Sequence, residues 1–341
     1  MVGFQFRYIR NSFNCLVWCN VMKIGIIGVG SIGGLIAGLI ANKQDNELIL
    51  CTNSNIQKYE LISNGLTINI NERKEQLKID QKKFTIISYE DNIDKKLEKS
   101  CDLVLICTKS FSTLEASQIA KKLISKEGFC ISIQNGIGNE NIISSTLGFE
   151  CVLGGIITHG ANKENSTTIN WAGYGEIIIG KMPLTKISNE RINEITELLN
   201  HAGLNASNVQ DIRLDLWSKL AINAAINPLA SICGIKNGGL LNPKLFECAS
   251  SAMFEVLDVA RGIGIDVPNN FEMLDKLTEI LTSTRENKCS MLQDIMKGKR
   301  TEIDSICGEV ISKAEQLGIQ TPINSTLMAI ISEISILHIS D

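Results

Sequence analysis

Short apolar runs alternate with helix-length segments over the first two thirds of the chain. Runs of this kind, bounded by glycine or small polar residues, are typical of buried strands in a mostly parallel sheet. The predicted strands cover residues 23–27, 47–52, 102–107, 129–134, 151–157, 167–171 and 176–180, and a helix is predicted over 188–201. The pattern therefore predicts an α/β fold with a doubly wound sheet.

Two further patterns refine this organisation. Apolar and polar residues alternate in 66–70 and again in 76–80, which predicts a hairpin, and we expect this hairpin to decorate the main sheet. Beyond residues 208–211 the pattern becomes one of long helices without a convincing strand. We therefore predict two domains, with the sheet in residues 22–209 and helices in 210–341.

The first 21 residues differ from the rest because they contain Arg7 and Arg10, no acidic residue, and an apolar stretch broken by Asn and Ser. This stretch is too broken for a secretory signal, although a targeting peptide is an alternative. We interpret Met22 as the true first residue and leave residues 1–21 out of the predicted fold.

The clearest motif is the stretch MKIGIIGVGSIGGLIAG, in which Gly28, Gly30 and Gly33 form the pattern G-x-G-x-x-G between a strand and a helix. Gly28 allows the tight turn, Gly30 lets the backbone approach a pyrophosphate, and Gly33 lets the helix pack closely on the strand. The first N–H groups of the helix, from Ser31 and Ile32 onward, would then bind the phosphates.

Two other structures could contain the same glycine-rich stretch. A transmembrane helix would use residues 21–41, where Gly30, Gly34 and Gly38 repeat the spacing of membrane helix pairs. A βα turn without a ligand is the second alternative. The strand predicted at 47–52 follows at the spacing of a βαβ unit, and it favours dinucleotide binding over both.

Several polar residues follow predicted strands, where the crevice of a doubly wound sheet forms. Lys109 is either an anion ligand in this crevice or a solvated lysine. Asn135 begins an Asn-Gly turn at the same edge. Asn53 follows the second strand, next to Ser54, and Lys58 lies further on. We interpret His159 as a structural residue.

The helical part carries two polar stripes. Lys219, Asn223 and Asn227 are spaced i, i+4, i+8 on an otherwise apolar helix over 216–228, so they form one inward-facing stripe. The alternative is a lysine that extends to solvent, with both amides bonded to backbone.

The second stripe consists of Asn287, Ser290 and Asp294, spaced i, i+3, i+7. Further on, Glu302 follows Thr301, and a helix is predicted to begin there. Because Thr301 suits an N-cap and acids favour a first turn, spacing alone assigns Glu302 to helix stabilisation.

Composition excludes several classes of protein. The net charge of −4 and the lack of a basic cluster argue against nucleic-acid binding. The sequence has no second hydrophobic span, and this argues against a membrane protein. Eleven cysteines without metal-ligand spacing indicate buried thiols in a reducing cytoplasm, and three histidines far apart in the sequence argue against a metal site.

The chain resembles the ketopantoate reductases (2-dehydropantoate 2-reductases) from Met22 to its C-terminus. The motifs that carry the resemblance are GVGSIGG, CTKS, QNGIGNE, WSKLAINAAINPLAS and NKCSMLQDIMKGKRTEID. The resemblance implies a Rossmann domain, a helical domain similar to that of 6-phosphogluconate dehydrogenase, and an active site between them. The helical domain is expected to bind the substrate. If the protein forms a homodimer, this domain is also expected to form the dimer interface.

The resemblance also implies roles for individual residues. Lys219 would be the general acid and Glu302 would contact substrate. The positions near substrate or nicotinamide are Asn135, Asn223, Asn227, Asn287 and Ser290, and Lys109 matches the lysine after the strand at 102–107. A buried Lys219 would have a lowered pKa and would give its proton to the alkoxide formed by hydride transfer.

The cofactor is predicted to be NADPH. An enzyme specific for NAD presents Asp or Glu at the end of the second strand, and residues 51–54 contain neither. Thr52, Asn53, Ser54 and Lys58 would bond a 2′-phosphate, although the arginine found in many relatives is absent. The predicted reaction is reduction of 2-dehydropantoate to (R)-pantoate, on the way to coenzyme A. The alternatives are a reductase of another 2-keto acid or opine, and a dinucleotide sensor without catalysis.

Overall fold

The computed structural model describes residues 21–340, so the interpretation of residues 1–20 as an extension lies outside the described residues. The strands are β1 (Lys23–Ile27), β2 (Glu47–Thr52), β3 (Leu66–Ile70), β4 (Glu75–Ile79), β5 (Phe84–Ser88), β6 (Cys101–Ile106), β7 (Ile124–Ser132), β8 (Val152–Ile157), β9 (Gly160–Lys163), β10 (Thr168–Gly173), β11 (Ile177–Lys181) and β12 (Ala206–Val209). The helices are α1 (Ser31–Lys43), α2 (Asn55–Asn64), α3 (Thr113–Leu123), α4 (Asn139–Leu147), α5 (Asn189–His201), α6 (Arg213–Cys233), α7 (Pro243–Gly262), α8 (Asn270–Ser283), α9 (Ser290–Met296), α10 (Glu309–Leu317) and α11 (Pro322–Ser340).

An eight-stranded sheet, in the order β12-β11-β8-β7-β6-β1-β2-β5, forms the centre of the N-terminal part. The strands from β8 to β5 are parallel, whereas β11 pairs with β8 in the antiparallel direction. β2 lies on one side of β1 and β6 on the other, so the strand order reverses at β1. The carboxyl ends of β1 and β6 therefore border the crevice where ligands bind in such sheets. The predicted doubly wound α/β fold is confirmed.

The main sheet is fully buried at its centre, which explains why its central strands were predictable. Ile24, Ile26 and Ile27 of β1 have no solvent exposure, and the same holds for Leu103 and Ile106 of β6. The edge strands β5 and β12 were missed because polar, partly exposed residues interrupt their apolar pattern. β9, an edge strand of a second sheet, was missed for the same reason.

The hairpin of β3 and β4 forms, but the expectation that it decorates the main sheet is wrong. It belongs to a separate sheet of order β4-β3-β10-β9, in which β3 pairs in parallel with β10. This second sheet covers α1, since a Cβ on Gly34 would lie 3.0 Å from Ile169 and one on Gly38 would lie 2.7 Å from Ile68. The small residues of α1 therefore pack against this sheet.

This packing answers the membrane alternative raised by the glycine spacing. Residues 31–43 form a helix in which Gly34 and Gly38 face the second sheet, and in the described range 21–340 no helix is long and apolar enough to cross a membrane.

After β12 the described chain is helical. α6 extends beyond the predicted 216–228 at both ends, with Pro228 inside it, and it packs along α7 in a core rich in alanine and isoleucine. Lys219, the first residue of the polar stripe of α6, contacts the carboxyl edge of the main sheet, so this helix brings its ammonium to the crevice.

The glycine-rich turn gives a prediction for stability. A Cβ on Gly33 would lie 2.1 Å from the carbonyl oxygen of Gly28, whereas one on Gly30 would meet no protein atom within 4 Å. We expect Gly33→Ala to lower the free energy of unfolding by about 1–3 kcal/mol or more, because backbone atoms must move. Gly30→Ala, the matched control, should melt within a few degrees of the wild-type protein. Equal melting temperatures for the two variants would contradict this packing.

Candidate active site

The turn after β1 leaves a binding surface at the start of α1. Gly28 has a φ of +94°, and a Cβ there would lie 2.7 Å from the Thr108 side chain. Gly30 is the N-cap of α1 and faces open space, and no side chain caps the helix. The first N–H groups of α1, at Ser31 and Ile32, are therefore available for an anion, and a pyrophosphate fits this place.

The end of β2 lies further along the same crevice. Asn53 is exposed directly after the strand, and Ser54 precedes α2 without a side-chain capping bond. Lys58 does not face this opening freely, because its ammonium binds Asp91 at 2.6 Å. The expectation that Lys58 would bond a phosphate is therefore not supported by its position.

Lys219 on α6 reaches the carboxyl edge of the main sheet. Its Nζ donates to the carbonyl oxygen of Ile157 at 2.8 Å and to Oδ1 of Asn135 at 3.1 Å. Burial lowers the pKa of Lys219 from 10.5 to about 8, against an opposing effect of the negative charge of Glu302. The alternative of a lysine that extends to solvent is wrong.

Glu302 is buried, with 5% of its side chain exposed, and it is bonded across the crevice. Its carboxylate accepts hydrogen bonds from Nζ of Lys109 at 3.1 Å, the backbone N–H of Ser110 at 3.2 Å and Nδ2 of Asn135 at 3.3 Å. The carboxylate therefore joins the helical part of the chain to two loops of the sheet.

The expectation from spacing, that Glu302 stabilises a helix start capped by Thr301, is wrong. The hydroxyl of Thr301 bonds instead with that of Ser335, at 3.4 Å. The segment that follows, Asp304–Gly308, is a π-helix, and α10 begins only at Glu309. π-helical turns of this kind often occur at functional sites.

Lys109 lies between two acids of the helical part. Its Nζ binds Asp294 at 2.7 Å in addition to Glu302. Burial lowers the pKa of Lys109, but the two carboxylates outweigh this effect and raise the pKa above its ordinary value. The side chain keeps 37% of its surface exposed, but its ammonium is ion-paired on both sides, so Lys109 is a fixed cation of the crevice and not a free, solvated lysine.

The Asn-Gly turn packs directly on the π-helical segment. The N–H of Ile137 donates to the carbonyl oxygen of Ser305 at 3.2 Å, and the hydroxyls of Ser305 and Ser110 bond at 2.8 Å. Gly136 has a φ of +83°, and a Cβ there would lie 2.5 Å from that carbonyl oxygen. Ser110 and Ser305 were not identified from sequence, although Ser110 directly follows Lys109.

The remaining predicted residues lie on α6, at the start of α9 and in the loop before α9. Asn223 is half-buried one turn after Lys219, and Asn227 is buried one turn further. Ser290 begins α9, the helix that carries Asp294, and both Ser290 and Asn287 are exposed.

Cys289 connects these two helices. Its thiol contacts the carbonyl oxygen of Asn227 at 3.6 Å and accepts from the N–H of Leu292 at 3.4 Å, as the N-cap of α9. The start of α9 is therefore held close to the polar stripe of α6.

His159 has a structural role, as interpreted from the sequence. Its Nδ1 accepts from the N–H of Gly175 at 2.9 Å, and its ring packs edge-on against Trp171. Burial lowers its pKa, so the ring is neutral near pH 7.

The chain is similar to known proteins along nearly its whole length. The family model "Ketopantoate reductase PanE/ApbA" matches residues 24–183, and the model of the C-terminal part of that family matches residues 211–335. The chain is 36% identical to the 2-dehydropantoate 2-reductase of Pyrococcus horikoshii over 316 residues, which cover 91% of this chain and 96% of that protein. It is 31% identical to the enzyme of the same name from Archaeoglobus fulgidus over 313 residues, or 91% and 97% of the two chains.

Solved structures agree with this result. A ketopantoate reductase from Ralstonia eutropha is 25% identical with a TM-score of 0.79, over 93% of this chain and 99% of that one. The complex of D-mandelate dehydrogenase with NADH and anilino(oxo)acetate has the same fold, with a TM-score of 0.84 at 23% identity over 93% and 99% of the two chains. The chain therefore belongs to the ketopantoate reductase family.

Proposed function

We propose that this protein reduces 2-dehydropantoate to (R)-pantoate with NADPH, a step of pantothenate and coenzyme A biosynthesis. The observation that carries the proposal is Lys219, which is half-buried and is held by Asn135 and Ile157 at the crevice edge with a pKa of about 8. A dinucleotide sensor needs no proton donor at this place. Relatives that match nearly the whole chain are named for this reaction.

The cofactor would lie along the carboxyl edge of the main sheet. Its pyrophosphate would bind the N–H groups that follow Gly28, Gly30 and Gly33, and Asn53 would contact the adenosine ribose or its 2′-phosphate. When bound, NADPH supplies the hydride. Support for the phosphorylated cofactor comes from residues 51–54, which contain no acid.

Two residues of the crevice would lie at the nicotinamide end. Lys109 is fixed there between Asp294 and Glu302, and Asn135 is fixed by Lys219 and Glu302. Because both side chains are held in place before ligands bind, they need little reorganisation during the reaction.

The proton and the substrate would be handled by the helical part. Lys219 would give its proton to the oxygen of the reduced keto group, and Glu302 would contact the substrate. The polar side chains available for the carboxylate and hydroxyl of the substrate are Asn135, Asn223, Asn227, Asn287 and Ser290. The nine cysteines within residues 21–340 are free thiols, which suits the reducing cytoplasm proposed for the enzyme.

A panel of 2-keto acids tests the substrate. Purified protein with NADPH should oxidise the cofactor, followed at the absorbance of NADPH, with 2-dehydropantoate giving the highest kcat/KM. Turnover with pyruvate but not with 2-dehydropantoate would contradict the proposed substrate, and the absence of turnover with every keto acid would favour a sensor.

Lys219→Ala tests the proton donor. We expect kcat to fall by roughly 10² to 10⁴ while the Kd for NADPH stays nearly unchanged, because general-acid catalysis contributes that range and the phosphates bind elsewhere. Thermal melting and NADPH fluorescence establish that the variant is folded and binds cofactor. A folded, cofactor-binding variant with normal kcat would remove Lys219 from the mechanism.

The pH profile tests the coupling between Lys219 and Glu302. Reduction needs the ammonium form of Lys219, so kcat should fall as the pH rises through about 8. The charge of Glu302 raises the pKa of Lys219. Glu302→Gln should therefore shift the falling limb of the profile to lower pH, whatever its effect on the maximal rate. A limb that stays in place or moves to higher pH would show that the two groups are not coupled.

A further inference from the structure

We propose that Glu90 limits the preference for NADPH over NADH, by placing a carboxylate at the ribose end of the crevice. This inference rests on the proposed use of a nicotinamide cofactor. In enzymes specific for NAD, the acid that binds the ribose lies at the end of the second strand. Glu90 instead follows β5.

The position of Glu90 follows from the register of the main sheet. β5 is parallel to β2, with Thr52 opposite Ser88. Residues that follow Ser88 therefore lie beside those that follow Thr52, and these include Asn53, the residue expected near the ribose. Glu90 is exposed at this edge.

A hydrogen-bonded chain holds Glu90 at the start of α2. Nδ2 of Asn55 donates to Oε2 of Glu90 at 2.5 Å, and Oδ1 of Asn55 accepts from the hydroxyl of Ser88 at 2.7 Å. The hydroxyl therefore fixes which end of the Asn55 amide points to Glu90. Asn55 is the first residue of α2, so the carboxylate is anchored next to the uncapped helix start.

The charge of Glu90 is not neutralised by its neighbours. The ammonium of the nearby Lys58 donates to both carboxylate oxygens of Asp91, at 2.6 and 2.8 Å. The N–H of Ser88 also donates to Asp91. Within residues 21–340 Glu90 itself forms no ion pair. The carboxylate of Glu90 is therefore bonded to the neutral amide of Asn55 and is not paired with a cation.

Two groups with opposite preferences thus meet at this end of the crevice. The uncapped N-terminus of α2 favours a phosphate, through its free N–H groups and its dipole. The carboxylate of Glu90 repels a phosphate and can accept a hydrogen bond from a 2′-hydroxyl. The absence of an acid from residues 51–54, at the end of β2, therefore overstates the preference for NADPH.

Direct binding measurements test this inference. The Kd values of NADPH and NADH are measured by cofactor fluorescence at low ionic strength, for the wild-type protein and Glu90→Gln. We expect the substitution to strengthen NADPH binding roughly tenfold relative to NADH, since it removes a full charge but keeps the shape. In 0.5 M NaCl this change should become smaller, because salt screens the repulsion.

Two further variants serve as controls. Glu315→Gln changes the net charge equally at an exposed position of α10, and it should leave the ratio of the two Kd values unchanged. Glu90→Asp keeps the charge and should keep the wild-type ratio. An unchanged ratio in Glu90→Gln, or an equal change in Glu315→Gln, would overturn the inference.

The same data separate this inference from the proposed cofactor. If the wild-type protein binds NADH more tightly and Glu90→Gln still shifts the ratio toward NADPH, the role of Glu90 stands and the proposed choice of NADPH fails. If the wild-type protein prefers NADPH and Glu90→Gln leaves the ratio unchanged, the proposed cofactor stands and the role of Glu90 fails.

Discussion

The buried carboxylate of Glu302 is the interaction on which the architecture of the crevice depends. A buried charge is tolerated only where it is paired and hydrogen-bonded, and Glu302 obtains its partners from Lys109, Ser110 and Asn135. All three lie on loops of the sheet, whereas Glu302 belongs to the helical part. The carboxylate therefore helps to fix how the two parts of the chain meet, beside the bonds of Lys109 with Asp294 and of Ser110 with Ser305. Together with Lys219 it also fixes the orientation of the Asn135 amide.

The arrangement gives two lysines of one crevice opposite properties. Lys109 binds two carboxylates directly, and its pKa is raised. Lys219 is separated from Glu302 by the amide of Asn135, which accepts from the ammonium and donates to the carboxylate. Burial then outweighs the distant negative charge and lowers the pKa of Lys219 to about 8. Lys109 thus serves as a permanent cation, and Lys219 is suited to give up a proton near neutral pH.

Sequence reasoning was most successful where a single local rule decides the structure. β1 and β2 have the predicted bounds because buried parallel strands form continuous apolar runs. Pairings between distant residues were not predictable in this way: β3 pairs with β10 about one hundred positions later, and Lys58 is bound by Asp91. The position of Glu302 was also not predictable from local spacing, because its spacing indicates only the start of a helix. Its resemblance to a family motif, and not its spacing, pointed to the crevice.

The proposed reaction depends most directly on the protonation of Lys219, which can be measured without turnover. Protein with ¹³C-labelled lysine side chains is titrated by NMR, and the Cε resonance of Lys219 is assigned by its loss in Lys219→Arg. We expect a pKa of about 8 for this amine, well below the ordinary value of 10.5. A pKa at or above 10.5 would contradict this expectation, because the crevice would then hold Lys219 as a permanent cation like Lys109.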